Sequence, residues 1–209
     1  MLLLFLYSME PSLYSELQEA SRKCDKQKLN QYGPWAVAIL QIFENNSEQN
    51  RLDRLKTGKE IGVNNRYGFF AGSVLLFRFD WLPMPQIDEW KDISQKESKW
   101  DKKICLPSVV SSFYTSLDSA LEHSQHPDPN NKDVPVLFVV CMQNYEKFEG
   151  FRLNSYKYSA YPQEEEVLLP MTTQLYVVKS DLMTADTIRP NFMHMNGNSF
   201  FVVHLFNRS

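Results

Sequence analysis

The chain has 209 residues, 43% hydrophobic and 22% charged, with 14 Phe, 10 Tyr and 4 Trp. This is the composition of an ordinary soluble globular protein, long enough for one large domain with a well-filled core. A net charge of −3 leaves no basic excess to neutralise a phosphate backbone, so nucleic acid is not an expected partner.

The N-terminal stretch Met1 to Tyr7 is apolar, lacks a basic start and is too short to span a bilayer. It is expected to be a docked strand, a helix turn or an upstream extension, with Met9 a second possible start, and not a signal peptide or membrane anchor. From Pro11 to about Leu29 the spacing predicts a helix, with Leu13, Leu17 and Ala20 on one face and Glu16 and Glu19 ahead of Arg22 and Lys23. A second helix is expected from about Pro34 to Phe43, with Pro34 in its first turn and Trp35, Ile39, Ile42 and Phe43 on one face. Asn45 to Lys59 is polar and reads as a third short helix, and Gly62 to Gly72 as a loop. Residues 1–60 thus form a helical N-terminal layer on a mixed β core, 61–209, within one domain.

Ser73 to Phe79 predicts an apolar strand carrying one arginine, ended by Trp81-Leu82-Pro83-Met84-Pro85. Gln86 to about Trp100 reads as an amphipathic helix followed by a loop. Ile104 to Ser112 predicts a strand, Leu117 to Ser124 a short helix with Asp118 in its first turn, and His126 to Asn131 a turn-rich connection. Val136 to Met142 is a buried-strand run; Gly150 to Ser159, Glu164 to Leu169, Gln174 to Val178 and Phe200 to Phe206 are further strands. Helices first and strands afterwards predict an α+β fold. There is no internal repeat.

Tyr161-Pro162-Gln163-Glu164-Glu165-Glu166-Val167-Leu168-Leu169-Pro170 runs three acids into an apolar strand. Strand alternation puts Glu164 and Glu166 on one face, about 6–7 Å apart. Two readings stay open for such a spot: a site for a cation or a developing sugar cation, and an edge strand solvated against pairing. Arg78 lies inside an apolar strand, where a guanidinium needs either an anion to hold, such as a phosphate, or a partner such as Asp80. Ser111 and Ser112 close a strand and suit the orientation of a carboxylate, or serve as turn residues.

Cys24, Cys105 and Cys141 are odd in number, widely spaced and without metal-site spacing, so reduced thiols in the cytoplasm are expected. His123 and His126 lack the acids or thiols that complete a ligand set, so no metal is expected. The glycines match neither nucleotide-binding fingerprint.

In order, these parts resemble the mono-ADP-ribosyltransferase family of the arginine–serine–glutamate class, in its protist-type form. Leu76-Phe77-Arg78 is similar to the family's arginine strand, and Leu106 to Phe113 to its serine strand. Ser116 to Leu121 is similar to the helix after it, and Val136 to Val140 to the next core strand. Tyr158 to Leu169 resembles the glutamate-x-glutamate turn and strand, and Asn191 to Phe206 the closing strand. The resemblance covers roughly Pro11 to Phe206.

It implies a split β-sandwich and transfer of ADP-ribose from NAD to a protein arginine, with NAD hydrolysis as a side activity. It further implies that Arg78 holds the NAD diphosphate, that Ser111 orients the catalytic carboxylate and shapes the nicotinamide pocket, and that Ser112 joins Arg78 and Ser111 in binding the cofactor. Glu166 becomes the catalytic glutamate, and Glu164 engages the acceptor arginine. A carboxylate beside the oxocarbenium-like ribose favours the transition state over the ground state. Phe79 stands where the family carries glycine after the arginine, and the serine stretch reads Ser111-Ser112-Phe113. Those departures define the alternative expectation: a catalytically degenerate relative serving as a structural or interaction subunit of a larger assembly.

Overall fold

Asp25 opens the first long helix. Its Oδ1 accepts the backbone N–H groups of Gln27 and Lys28 at 3.0 and 3.1 Å, which caps α1, Lys26–Asn45. The computed structural model describes residues 16–17, 19–20, 23–45, 74–98, 102–104, 106, 110–123, 133–142, 151–153, 159–170, 173–184 and 199–207. The helix expected to run through to Leu29 is interrupted: Cys24 has a left-handed backbone, φ 51°, and Asp25 N–H reaches back to the Ala20 carbonyl at 3.0 Å. Pro34 lies inside α1 and not in its first turn, as was expected. Capping at Asp25 moves the helix start forward by two turns, and the ring removes one internal hydrogen bond. Ala36 and Ile39, three apart, are buried.

Strand β1, Val74–Leu82, continues past the expected break at Trp81 and stops at Pro83, which leads into α2, Met84–Gln95. Proline is tolerated at that entry because first-turn N–H groups have no helical partner. Ile87 and Trp90 of α2 are buried, and the Trp90 ring meets Phe138 edge-on at 5.3 Å. The single strand expected from Ile104 to Ser112 is two strands in different places: β2, Lys103–Ile104, and β3, Val110–Tyr114. Pro107, in the middle of that run, lacks the N–H an inner strand needs. Ser116 caps α3, Leu117–Glu122, its Oγ accepting Asp118 N–H at 3.2 Å. Then come β4, Val134–Met142, β5, Phe151–Arg152, β6, Glu166–Pro170, β7, Leu175–Thr184, and β8, Ser199–Asn207. Asn45, expected to begin a third helix running to Lys59, instead ends α1; the rest of that helix, the 62–72 loop, the 126–131 turn and residues 150 and 154–158 of the 150–159 strand lie outside the described residues.

The strands form one eight-stranded mixed sheet in the order β2-β7-β8-β4-β1-β3-β6-β5. β4 and β8 are parallel, and the other neighbours are antiparallel. The fold is α+β. Its two halves, β2 to β1 and β3 to β5, meet where Phe77 lies opposite Tyr114. One face carries the main core, including Leu76, Phe113, Phe138, Leu169 and Val203, with Ile87 and Trp90 of α2 packed on it. The other carries a smaller cluster of Phe79, Leu137, Phe200 and Val202, covered by Leu117 and Leu121 of α3. Each fully buried Leu or Phe here contributes about 1.5–3 kcal/mol. The two helices therefore fix which sheet face each strand residue meets.

Candidate active site

The three acids do not form one strand. Pro162–Glu164 is a 3₁₀ turn, closed by Glu164 N–H to the Tyr161 carbonyl at 3.1 Å, and Glu165 adopts a left-handed backbone, φ 52°, ψ 39°. β6 begins only at Glu166. The expectation that Glu164 and Glu166 share a strand face is corrected: a turn, not strand alternation, sets their relation. Pro162 favours the turn, and a left-handed non-glycine residue costs about 1 kcal/mol, met here by contacts such as the hydrogen bond from Thr115 Oγ1 to the Glu165 carboxylate.

Glu166 lies directly across from Tyr114, and its backbone carbonyl accepts Leu153 N–H at 2.7 Å. The residue is 9% exposed. Burial pushes its carboxyl up to about 7, and the Glu164 charge adds to that. A hydrogen bond with the Ser112 side chain and the positive charge of Arg78 act in the opposite direction. Burial also raises Glu164, with the Glu122 charge helping and His123 opposing. For both acids burial is the largest cause.

The serine whose side chain reaches Glu166 is Ser112. Ser111 is 0% exposed, lies opposite Leu169 and shares the main-core face with Phe113. Its hydroxyl has no hydrogen-bond partner among the described residues. Arg78 is 8% exposed. Its Nε and Nη2 donate to Asp80 Oδ2 at 3.2 and 2.6 Å, and Nη1 donates to the Ser112 carbonyl at 3.2 Å. Alternation from the Phe77–Tyr114 register starts the Arg78 and Glu166 side chains on opposite faces of the sheet. The guanidinium bridges the seam between the halves, close enough for its charge to act on Glu166. Phe79 packs on Trp81 and Phe200, on the sheet face from which Ser112 and Glu166 start.

Two residues without an expected role complete the surroundings. His123 ends α3, and its ring stacks on Tyr114 at 5.1 Å with planes 8° apart. Its Nε2 is 3.3 Å from Glu164 Oε1. Aromatic character in Tyr114 and an imidazole at a helix end were visible in the sequence, but their meeting depends on where α3 turns back. Among the described residues no group of three or more His, Cys, Asp or Glu side chains could hold a metal ion, and no helix is long and apolar enough to cross a membrane.

No protein-family model matches the chain, and no curated protein matches it. Among solved structures it is similar to bacterial ADP-ribosyltransferases. Exoenzyme S of Pseudomonas aeruginosa, solved with human 14-3-3 protein beta and bound to carba-NAD, is 12% identical with a TM-score of 0.46, over 92% of this chain and 66% of that one. The Vis toxin of Vibrio splendidus, in complex with agmatine, is 12% identical with a TM-score of 0.41, over 81% and 74%. HopU1 of Pseudomonas syringae is 14% identical with a TM-score of 0.40, and the match spans 65% of this chain and 46% of HopU1.

Proposed function

We propose that the chain is an NAD-dependent mono-ADP-ribosyltransferase acting on protein arginine. The observation that carries this reading is the network in which the buried Glu166 meets the Ser112 side chain while Arg78 grips the same serine's backbone. Glu166 is the catalytic carboxylate. Its charged form stabilises the oxocarbenium-like ribose as the C1′–nitrogen bond breaks and nicotinamide leaves with the bonding pair. Ser112 keeps that carboxylate oriented. A guanidinium nitrogen of the acceptor attacks C1′, and its proton passes to a carboxylate at the site. Glu164 draws the acceptor in by charge, and water in place of the acceptor gives NAD hydrolysis. Arg78 meets the diphosphate at the seam. Ser111 stays in the assignment only as backbone support for β3.

The test is nicotinamide release from NAD with agmatine or a protein acceptor. Purified protein is expected to turn over, and Glu166→Gln to lose at least about a hundredfold. Absence of turnover by the unmodified chain at millimolar NAD would overturn the reading.

A second reading is favoured by one observation. Arg78 already has its counter-ion in Asp80, so the guanidinium is neutralised without any diphosphate. That arrangement suits a non-catalytic relative serving as a structural or interaction subunit. NAD binding separates the two, because a ligand that binds only the folded state raises Tm by mass action.

A further inference from the structure

The Tyr114–His123–Glu164 arrangement lies beside Glu166, with Tyr114 paired to it across the strands and the Glu164 charge acting on it. Tyr114 leaves β3 directly opposite Glu166. His123 is the residue at which α3 stops, and its N–H is tied to the Ser119 and Leu121 carbonyls. The two rings stack nearly parallel. A stack of that kind fixes the imidazole plane, and with it the direction in which Nε2 points. That direction is toward Glu164 Oε1, at 3.3 Å. Glu164 sits in a turn and its side chain is 25% exposed. Without a fixed partner, a carboxylate at the surface of a turn samples several rotamers.

We propose that His123 is a positioning residue for acceptor capture: seated on Tyr114, it holds Glu164 through Oε1 and leaves Oε2 turned to the acceptor guanidinium. The proposal deepens the transferase reading and rests on it. It gives Glu164 a defined orientation that neither its own backbone nor the Glu166 strand supplies. A guanidinium then meets one carboxylate oxygen already in place, which reduces the ordering that binding requires. The effect is expected on acceptor recognition and not on cleavage of the nicotinamide bond, because His123 bears on Tyr114 and Glu164 and its charge is not among those that act on Glu166. Groups carrying charge around the pair are Glu122 on α3 and Glu166 on β6.

The experiment compares His123→Phe, which keeps the stack and removes the donor, with His123→Gln, which keeps an N–H donor. Agmatine is the acceptor probe, and nicotinamide release into water alone is the internal control. His123→Phe is expected to raise the KM for agmatine about tenfold with kcat and NAD hydrolysis within about twofold of the unmodified chain, and His123→Gln to recover most of the loss. An unchanged KM in His123→Phe overturns the proposal and leaves the transferase reading standing. So does a parallel fall in NAD hydrolysis and transfer, which signals a structural role. If the unmodified chain releases no nicotinamide at all, the transferase reading itself fails and the positioning role falls with it.

Discussion

Arg78 and Ser112 are joined across the seam of the sheet: Nη1–H of the arginine donates to the serine carbonyl at 3.2 Å. The same serine's side chain bonds to Glu166. One residue therefore links a buried cation to a buried acid that start on opposite faces of the sheet, and both partners hold the Glu166 carboxyl down against the larger effect of burial.

Activity is expected to rise with pH. The Glu166 carboxyl is pushed up to about 7, so the charged form needed beside a developing cation is the minority below that value and the majority above it. Nicotinamide release should increase about tenfold between pH 6 and pH 8. A profile flat over that interval would separate Glu166 from the reaction.

Stability should show the opposite trend. Burial pushes the Glu166 carboxyl up to about 7 in the folded chain, from an ordinary value of 4.5. Its contribution to stability is therefore fully present below the unfolded value and is lost as pH rises through about 7. Glu166→Gln removes the charge, and is expected to stabilise the fold by up to about 3 kcal/mol at pH 8, with the gain fading toward pH 4.5. Urea unfolding at the two pH values checks this.

The adjacent serines are expected to behave differently. Ser112→Ala removes a hydrogen bond that favours charged Glu166, so the pH–activity limb should move up by about half a unit to one unit. Ser111→Ala removes a hydroxyl with no partner among the described residues, and the unfolding free energy should hold or rise, by about 1 kcal/mol at most. A Ser111→Ala variant that loses activity while Ser112→Ala keeps it would reverse the assignment.

Asp80→Asn leaves Arg78 without its counter-charge. Because the Arg78 side chain is only 10% exposed and Asp80 26%, a loss of about 1–3 kcal/mol is expected in chemical unfolding. With the competing carboxylate gone, the NAD-induced shift in Tm should exceed that of the unmodified chain if Arg78 meets the diphosphate. A flat response to NAD in both proteins supports the structural reading.

Much of the fold was legible in the sequence because its signals are local. Val136 to Met142 is apolar enough to be an inner strand in any setting, and β4 lies there beside β1 and β8. The Arg78 strand, the short helix from Leu117 with Asp118 in its first turn, and the late β8 follow in the same way. Local signals also point the wrong way: Pro34 looks like a helix start although Asp25 caps the chain ahead of it, and strand alternation does not hold through Glu164 and Glu165, where a left-handed residue breaks it. The resemblance puts Ser111 at the carboxylate, and the structure corrects this to Ser112, because the strand register turns Ser111 into the main core.

The amino-acid order alone set the α+β class, because side-chain periodicity and turn chemistry act within a few residues. It also set the identity of the acids and the arginine. Which face each strand presents, that Asp80 pairs with Arg78, that His123 seats on Tyr114 and that Ser112 is the serine at Glu166 were decided only when distant strands fell into register. Register depends on burying one apolar face against α2 and the other against α3, and that is a property of the assembled sheet and not of any one segment.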